Sequence, residues 1–325
     1  MPPSTRSLKV SAIGQPETPA ARTQSDIFFE ATLFTAAAAS RAILLAHYDI
    51  DGVFDPYVVA ALQQYRHNAD QLTVVSASAK DLPASLKGIV DRFIPRHNRG
   101  YDFCSWRAGI KALGDPSQFD EIICVNDSVY GPLFDLSQAF SDPRLAAADL
   151  WGMVFSEQGS KRHGKKASCP HLQSWLFGMR RPLLESQSFG DFWESVVPLE
   201  TKEAIVDRYE IGMSQHFERA GFRLAALYDA RKHPPVSFRE MWPHCSLWHP
   251  TRTRRYLRKA RRVPHNPSEL VWQRLLAAGV PFVKAGLFRV NHYGLNLEHV
   301  LNQIDRLSPA DGHLIRHHLD RCRAN

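Results

Sequence analysis

From about residue 41 onward, short apolar runs alternate with longer stretches of helical period. Ala42 to Tyr48 (AILLAHY) reads as a buried strand, Pro56 to Arg66 as a helix with proline in its first turn, and Gln71 to Ser76 as a second strand. Leu82 to Phe93 and Ser105 to Leu113 read as helices, and Glu121 to Val125 as a third strand. Strand and helix in alternation imply parallel pairing through right-handed crossovers, with helices on both sheet faces. Further on, Asp149 to Phe155 and Ser174 to Met179 have the strand pattern. Phe189 to Val197 reads as a helix, Lys202 to Ala220 as a long helix stopped by Gly221, and Phe222 to Tyr228 as a returning strand. The predicted class is α/β, a helix-flanked sheet followed by a mainly helical C-terminal appendage.

Both flanks differ from this body. Met1 to Gln24 is rich in Pro, Ser, Thr and Ala and reads as a flexible lead, after which Ser25 can cap a helix through Phe28, Leu33 and Ala39. Beyond Asp229 the prolines at 234, 235, 243, 250, 264 and 267 punctuate the chain before helical segments near Ser268 to Ala278 and Leu297 to Leu307. The expected division is therefore 1–24, 25–230 and 231–325. Composition adds little, since 44% hydrophobic and 22% charged residues suit an ordinary folded chain. Glu30, Ser40 and Arg41 interrupt the most apolar stretch, Ile27 to Ala46, so no membrane span is predicted, and Met1 to Leu8 lacks a secretion-signal pattern. Five scattered cysteines without C-x-x-C spacing read as reduced thiols of a cytoplasmic protein. Charge is more telling. Of a net +7, an equal number of cations falls between Arg252 and Arg262 (RTRRYLRKARR), with no acid among them.

Ligands of open parallel sheets sit at the carboxyl ends of the strands, so the strand ends carry the candidate chemistry. The first leads into His47, Tyr48 and Asp49. A later turn holds Asn98, Gly100 and Asp102, and the third strand runs straight into Asn126-Asp127-Ser128. An aspartate where a buried strand emerges can hold a hard cation on a diphosphate. Asn, Asp and Ser are equally the common turn formers. Glu210, near the start of the long helix, is either a partner of the helix macrodipole or a general base. No Walker loop, G-x-G-x-x-G or G-x-S-x-G occurs in the α/β part, which argues against NTPase, dinucleotide and α/β-hydrolase chemistry.

The ordered strings HYDIDGVFDPYV, NRGYDFCSWRAG, NDSVYGPL, HLQSW and YEIGMSQHFERAGFRLAALYD, with a weaker echo at Pro281-Phe282-Val283-Lys284, resemble the motifs of the rhamnan synthesis protein F family. These are glycosyltransferase-like proteins of bacterial surface polysaccharide assembly, similar in turn to GT-A glycosyltransferases. The resemblance implies a GT-A-like sheet and a donor site of His47, Tyr48, Asp49, Asn98, Gly100, Asp102, Asn126 and Lys284. It also implies Mg²⁺ or Mn²⁺ on Asp127, where the family's Asp-any-Asp motif has become Val125-Asn126-Asp127. Glu210 takes the place of the catalytic base, with Tyr209 where the preceding acid would stand. His171 and Gln173 would meet acceptor hydroxyls, and Lys284 or Arg289 the departing diphosphate.

These implications define a transferase that moves a sugar, rhamnose from deoxythymidine diphosphate rhamnose, to a glycan or lipid-linked glycan acceptor. The basic run Arg252 to Arg262 would then face the anionic inner membrane. Nucleic acid is not the expected partner, because the cations are confined to one segment and no nucleic-acid module is present. A catalytically silent glycan-binding scaffold is the alternative, motivated by the incomplete acidic motif.

Overall fold

The first strand feeds two separate cores. Ile43 and Leu45 pack into one apolar cluster, while Ala42, Leu44 and Ala46 pack into another. That is the period-2 alternation of a strand covered on both faces. The computed structural model describes residues 40–159, 168–261 and 264–324, all within the compact unit Ala39–Asn325. The N-terminal lead, the helix expected from Ser25, and Arg262 lie outside the described residues.

The strands in chain order are β1 (Arg41–His47), β2 (Gln71–Ser76), β3 (Arg92–Pro95), β4 (Glu121–Asn126), β5 (Val129–Tyr130), β6 (Leu150–Gln158), β7 (Ser168–Leu172), β8 (Leu176–Arg180), β9 (Leu224–Asp229) and β10 (Val283–Lys284). The main sheet runs β3-β2-β1-β4-β8-β6-β7, and β9 also pairs with β6. β3, β2, β1 and β4 are mutually parallel, whereas β8 is antiparallel to β4 and to β6. α1 (Pro56–His67) covers one face, its Asp55 N-cap accepting from the Tyr57 N–H and proline in its first turn. On the other face lies α2 (Tyr101–Leu113), whose Phe103, Trp106 and Ile110 join Phe192, Trp193 and Phe217 in the second core.

Two expectations change. Leu82 to Phe93 is a 3₁₀ turn at Ala84–Leu86 followed by β3, not a helix. Pro83 and Gly88, the latter at φ +90°, interrupt the helical period, and Phe93 is recruited into register with Val74. The long helix from Lys202 is continuous only in sense, since Val206–Ile211 is a π-helical turn between Lys202–Ile205 and Gly212–Arg219.

The chain beyond residue 230 folds onto the first core, where Trp272, Ile304 and Ile315 lie in the cluster that holds Ile43. β10 pairs antiparallel with β5, setting Lys284 opposite Val129. A 16-residue helix, Pro309–Ala324, closes the chain, and its His318 Nδ1 meets the Tyr130 hydroxyl at 2.7 Å. The basic run is itself helical over Pro250–Ala260. All five cysteines are free. Among the described residues no helix is long and apolar enough to cross a membrane.

Candidate active site

A groove follows the carboxyl ends of the parallel strands as three adjoining cavities. The first, about 710 Å³, is bordered by His47, Tyr48, Asn98, Gly100, Asp102 and Asp127. Asp102 and Ser128 also border a second, of about 580 Å³, together with Glu210, Lys284 and Arg289. A third, about 350 Å³, shares Glu210 and Lys284 and reaches His171 and Gln173. Ten of the sequence-predicted residues and Arg289 thus meet along one continuous groove, and Asn126 joins them from the middle cavity.

Asp127 sits just past β4. Its Oδ2 accepts the Tyr48 N–H at 2.6 Å, and its carbonyl accepts the Tyr57 hydroxyl at 2.9 Å. Burial pushes its carboxyl up to about 8 despite the Tyr48 bond, and the negative charge of Asp102 adds to the rise. Asp102, in the first turn of α2, is raised by burial as well, opposed by the Asn126 amide. That amide explains the departure from an acidic motif. Asn126 Nδ2 donates to Asp102 Oδ2 at 2.8 Å, while its Oδ1 accepts the Ser128 N–H at 3.1 Å and hydroxyl at 2.5 Å. An ionised aspartate at 126 cannot donate the first bond and would set a third carboxyl group beside Asp102 and Asp127.

Gly100 caps α2 at φ +77°, and a Cβ there would lie 2.3 Å from Cys104 Sγ and 2.8 Å from Pro198 Cα. Only glycine fits this turn. Lys284 reaches the groove from β10 and donates to Ser128 Oγ at 2.7 Å. Burial brings its ammonium down to about 8, against the upward pull of Glu210 and Asp102.

Glu210 lies in the π-helical turn, an insertion that recurs at functional sites. Its Oε2 accepts both the backbone N–H (3.0 Å) and the hydroxyl (2.5 Å) of Ser174, and its Oε1 is 3.6 Å from His171 Nε2. Burial, the largest influence, pushes Glu210 up, yet His171 and Ser174 together bring it down to about 2. His171 is lowered by burial and raised more by Glu210, with its Nδ1 2.6 Å from the Cys169 carbonyl. Gln173 is committed to neighbours. Its Nε2 donates to Asn266 Oδ1 at 2.9 Å, and its Oε1 accepts from Trp175 Nε1 at 3.0 Å and from the Ser268 hydroxyl. Tyr209 turns away and exchanges hydrogen bonds of 2.8 Å with the Val197 backbone.

Two predicted residues have their polar groups engaged elsewhere. Asp49 does not border the cavities, because Arg321 of the last helix binds it together with Asp51 (2.5 Å) and Asp55 (3.0 Å). Burial tends to raise the Asp49 carboxyl, and Arg321 holds it below its ordinary value. His47 borders the first cavity but is 1% exposed, its Nε2 3.1 Å from the Val53 carbonyl and its Nδ1 2.9 Å from Ser76 Oγ. Burial lowers it to about 4, so the ring is neutral. Residues that the sequence reading missed are Lys202, Trp175, Asn266 and Glu269 on the cavity walls and Arg321, which holds the acids of the β1–α1 loop. Trp175 stood inside the HLQSW string and could have been named; nothing local marks the others.

No group of three or more His, Cys, Asp or Glu side chains suited to a metal occurs among the described residues. Asp102 and Asp127 nevertheless border the same cavity, and Mg²⁺ or Mn²⁺ typically takes one or two carboxylates and completes its shell with phosphate and water.

A sequence model of rhamnan synthesis protein F matches residues 72–253, more than half of the chain. The chain belongs to the rhamnan synthesis protein F family. The family region spans β2 through the start of the basic helix, so it contains Asn98, Asp102, Asp127, His171 and Glu210. Virulence protein VirA of Vibrio anguillarum is 25% identical over 238 residues, 71% of this chain and 74% of that one. Protein y4gN of Sinorhizobium fredii is 28% identical over 138 residues, which are 42% of this chain and 34% of that one. Among solved structures, glucosyl-3-phosphoglycerate synthase from Mycobacterium tuberculosis, in complex with Mn²⁺, uridine diphosphate and phosphoglyceric acid, aligns with TM-score 0.39 and 14% identity, covering 76% of this chain and 81% of that one.

Proposed function

We propose that this member of the rhamnan synthesis protein F family is a nucleotide-sugar-dependent glycosyltransferase. It transfers rhamnose, from deoxythymidine diphosphate rhamnose, to a growing surface polysaccharide or lipopolysaccharide with inversion at the anomeric carbon. One observation carries the reading: adjoining cavities bring together two half-buried carboxylates, Asp102 and Asp127, with the ionised Glu210 and with Lys284, which borders the same cavity as Asp102 and Glu210.

The donor lies over the Asn98–Gly100 turn with its base beside the half-exposed Tyr48 ring. Lys284 faces the diphosphate and counters the charge that grows as the sugar departs. Mg²⁺ or Mn²⁺, held by Asp127 and Asp102, would add Lewis-acid neutralisation of the same diphosphate. Glu210 takes the proton from the attacking acceptor hydroxyl on the opposite side. A carboxylate already accepting two hydrogen bonds from Ser174 is a weak base, and His171 at 3.6 Å holds it ionised and oriented. The acceptor glycan is carried on a lipid, which places the enzyme at an anionic membrane surface.

The second reading, a catalytically silent nucleotide- or glycan-binding scaffold, is favoured by those same bonds on Glu210. Calorimetric titration separates the two. Deoxythymidine, uridine and guanosine diphosphates and their sugars are titrated with and without Mn²⁺ into wild type and Asp127→Ala. Selective binding that weakens in the variant, followed by sugar transfer, supports the enzyme. Binding without turnover across acceptors supports the scaffold, and no binding to any nucleotide rejects the donor site.

A further inference from the structure

We propose that residues 238–261 form a docking face for an anionic lipid bilayer, built from an aromatic patch and a cationic helix held together as one unit. This deepens the lipid-linked acceptor reading by naming the surface.

The first component is apolar and exposed. Phe238 and Trp242 are each 66% exposed, Leu247 98% and Trp248 91%. Phe238 and Trp242 lie against each other, ring centroids 5.6 Å apart. Large side chains left in water at this density, two of them tryptophan, suit a membrane interface, where the indole is apolar in body and polar at its N–H.

The second component follows directly in the chain. On the helix Pro250–Ala260, Tyr256 and Ala260 are buried and Thr253 and Leu257 half-buried, at spacings of three and four. The opposite face presents Arg254, Arg255 and Arg258, extended by Arg261 just beyond, all exposed and none ion-paired with a described residue. A cationic outer face beside exposed aromatics matches the chemistry of an interfacial segment on anionic lipid.

The two components are locked to each other. Thr253 Oγ1 accepts the Ser246 N–H at 2.9 Å and donates to the Ser246 carbonyl at 3.0 Å, and the buried His244 packs on Tyr256 with centroids 5.1 Å apart. The face also adjoins the groove. Lys259 Nζ donates to the His292 carbonyl at 2.5 Å, and His292 borders the cavity that contains Glu210. An enzyme held by this face keeps the Glu210 cavity near the bilayer.

The test is vesicle binding by the full chain, with phosphatidylglycerol–phosphatidylethanolamine vesicles compared with pure phosphatidylcholine at low and high salt. The wild type is expected to bind the anionic vesicles selectively and to be released by salt. Arg254→Glu with Arg258→Glu is expected to weaken binding about 25-fold or more, from roughly 1 kcal/mol per cation. Leu247→Ser with Trp248→Ser is expected to weaken it about 10-fold or more while leaving the salt dependence. Equal binding to both vesicle types, or variants that bind like wild type, overturns the proposal. So does binding to duplex DNA without vesicle binding, or a dimer in solution that Trp248→Ser dissolves. The wild-type lipid and salt comparison decides the matter even where a variant fails to fold. Nucleotide titration of the same proteins reads the groove separately, so loss of one result leaves the other standing.

Discussion

The donor side of the groove and the Glu210 side treat half-buried carboxylates in opposite ways. At Asp102 and Asp127, burial dominates and both are raised, because the hydrogen bonds they accept come from neutral amides and neighbouring acids add to the rise. At Glu210, burial is again the largest influence, yet the carboxylate falls to about 2 because His171 and two donors of Ser174 converge on it. Desolvation alone therefore does not set the charge of a sequestered acid; a cationic partner such as His171, with the Ser174 donors beside it, reverses its effect. One side is left wanting positive charge, which a cation or Lys284 can supply, and the other is already satisfied.

The largest effect that would break this comparison is on catalysis. Glu210→Gln is expected to leave nucleotide binding intact and to reduce transfer by about 10² to 10⁴-fold, measured as turnover with a competent acceptor. Transfer near the wild-type rate removes Glu210 from the reaction.

Next is Arg321→Ala, which leaves three carboxylates facing one another, Asp55 among them at 2% exposure. Breaking a buried pair costs roughly 3–5 kcal/mol, and partial solvation of Arg321 should bring the loss below that range. Denaturant midpoints check it, and an unchanged midpoint would show that water replaces the guanidinium at no cost.

Asn126→Asp sharpens the donor side. It removes the amide donor to Asp102 and should cost about 1–3 kcal/mol, read as a lower melting temperature. Added Mn²⁺ should restore part of the loss if the extra acid completes a cation site; a melting temperature indifferent to Mn²⁺ would separate that cluster from metal binding.

The smallest effect is the pH dependence of the Glu210–His171 pair. Glu210 is lowered from 4.5 to about 2 on folding, so its contribution is present above pH 4.5 and fades as pH falls toward 2. His171 is raised above 6.5, so its contribution is present below pH 6.5 and is lost as pH rises through its folded value. The stability difference between wild type and Glu210→Gln should therefore be greatest between pH 4.5 and 6.5. A difference flat from pH 5 to 9 would mean that His171 does not sense the carboxylate.

What the sequence revealed is what depends on near neighbours. Apolar alternation located β1, β2 and β4, and Gly221 marked a true boundary at the end of the long helix, whereas α2 starts at Tyr101, four residues before the expected Ser105. The polar strand ends named most of the groove, because a parallel sheet delivers its strand ends to one edge. What stayed hidden depends on partners distant in the chain. β3 exists because β2 offers an unpaired edge, a condition invisible within Leu82 to Phe93. Asn126 reads as a lost acid until Asp102 is placed beside it. Asp49 looked free for a ligand because its guanidinium partner is 272 positions away.

That last separation has a consequence for the order of events during synthesis. The β1–α1 loop and its three acids leave the ribosome long before the arginine that neutralises them, which lies 272 positions beyond Asp49. Until it docks, the loop carries self-repelling charge, and the backbone N–H of Tyr48 that steadies Asp127 hangs from an unsettled segment. The mouth of the first cavity is thus a late-maturing part of a fold whose central strands can pair much sooner.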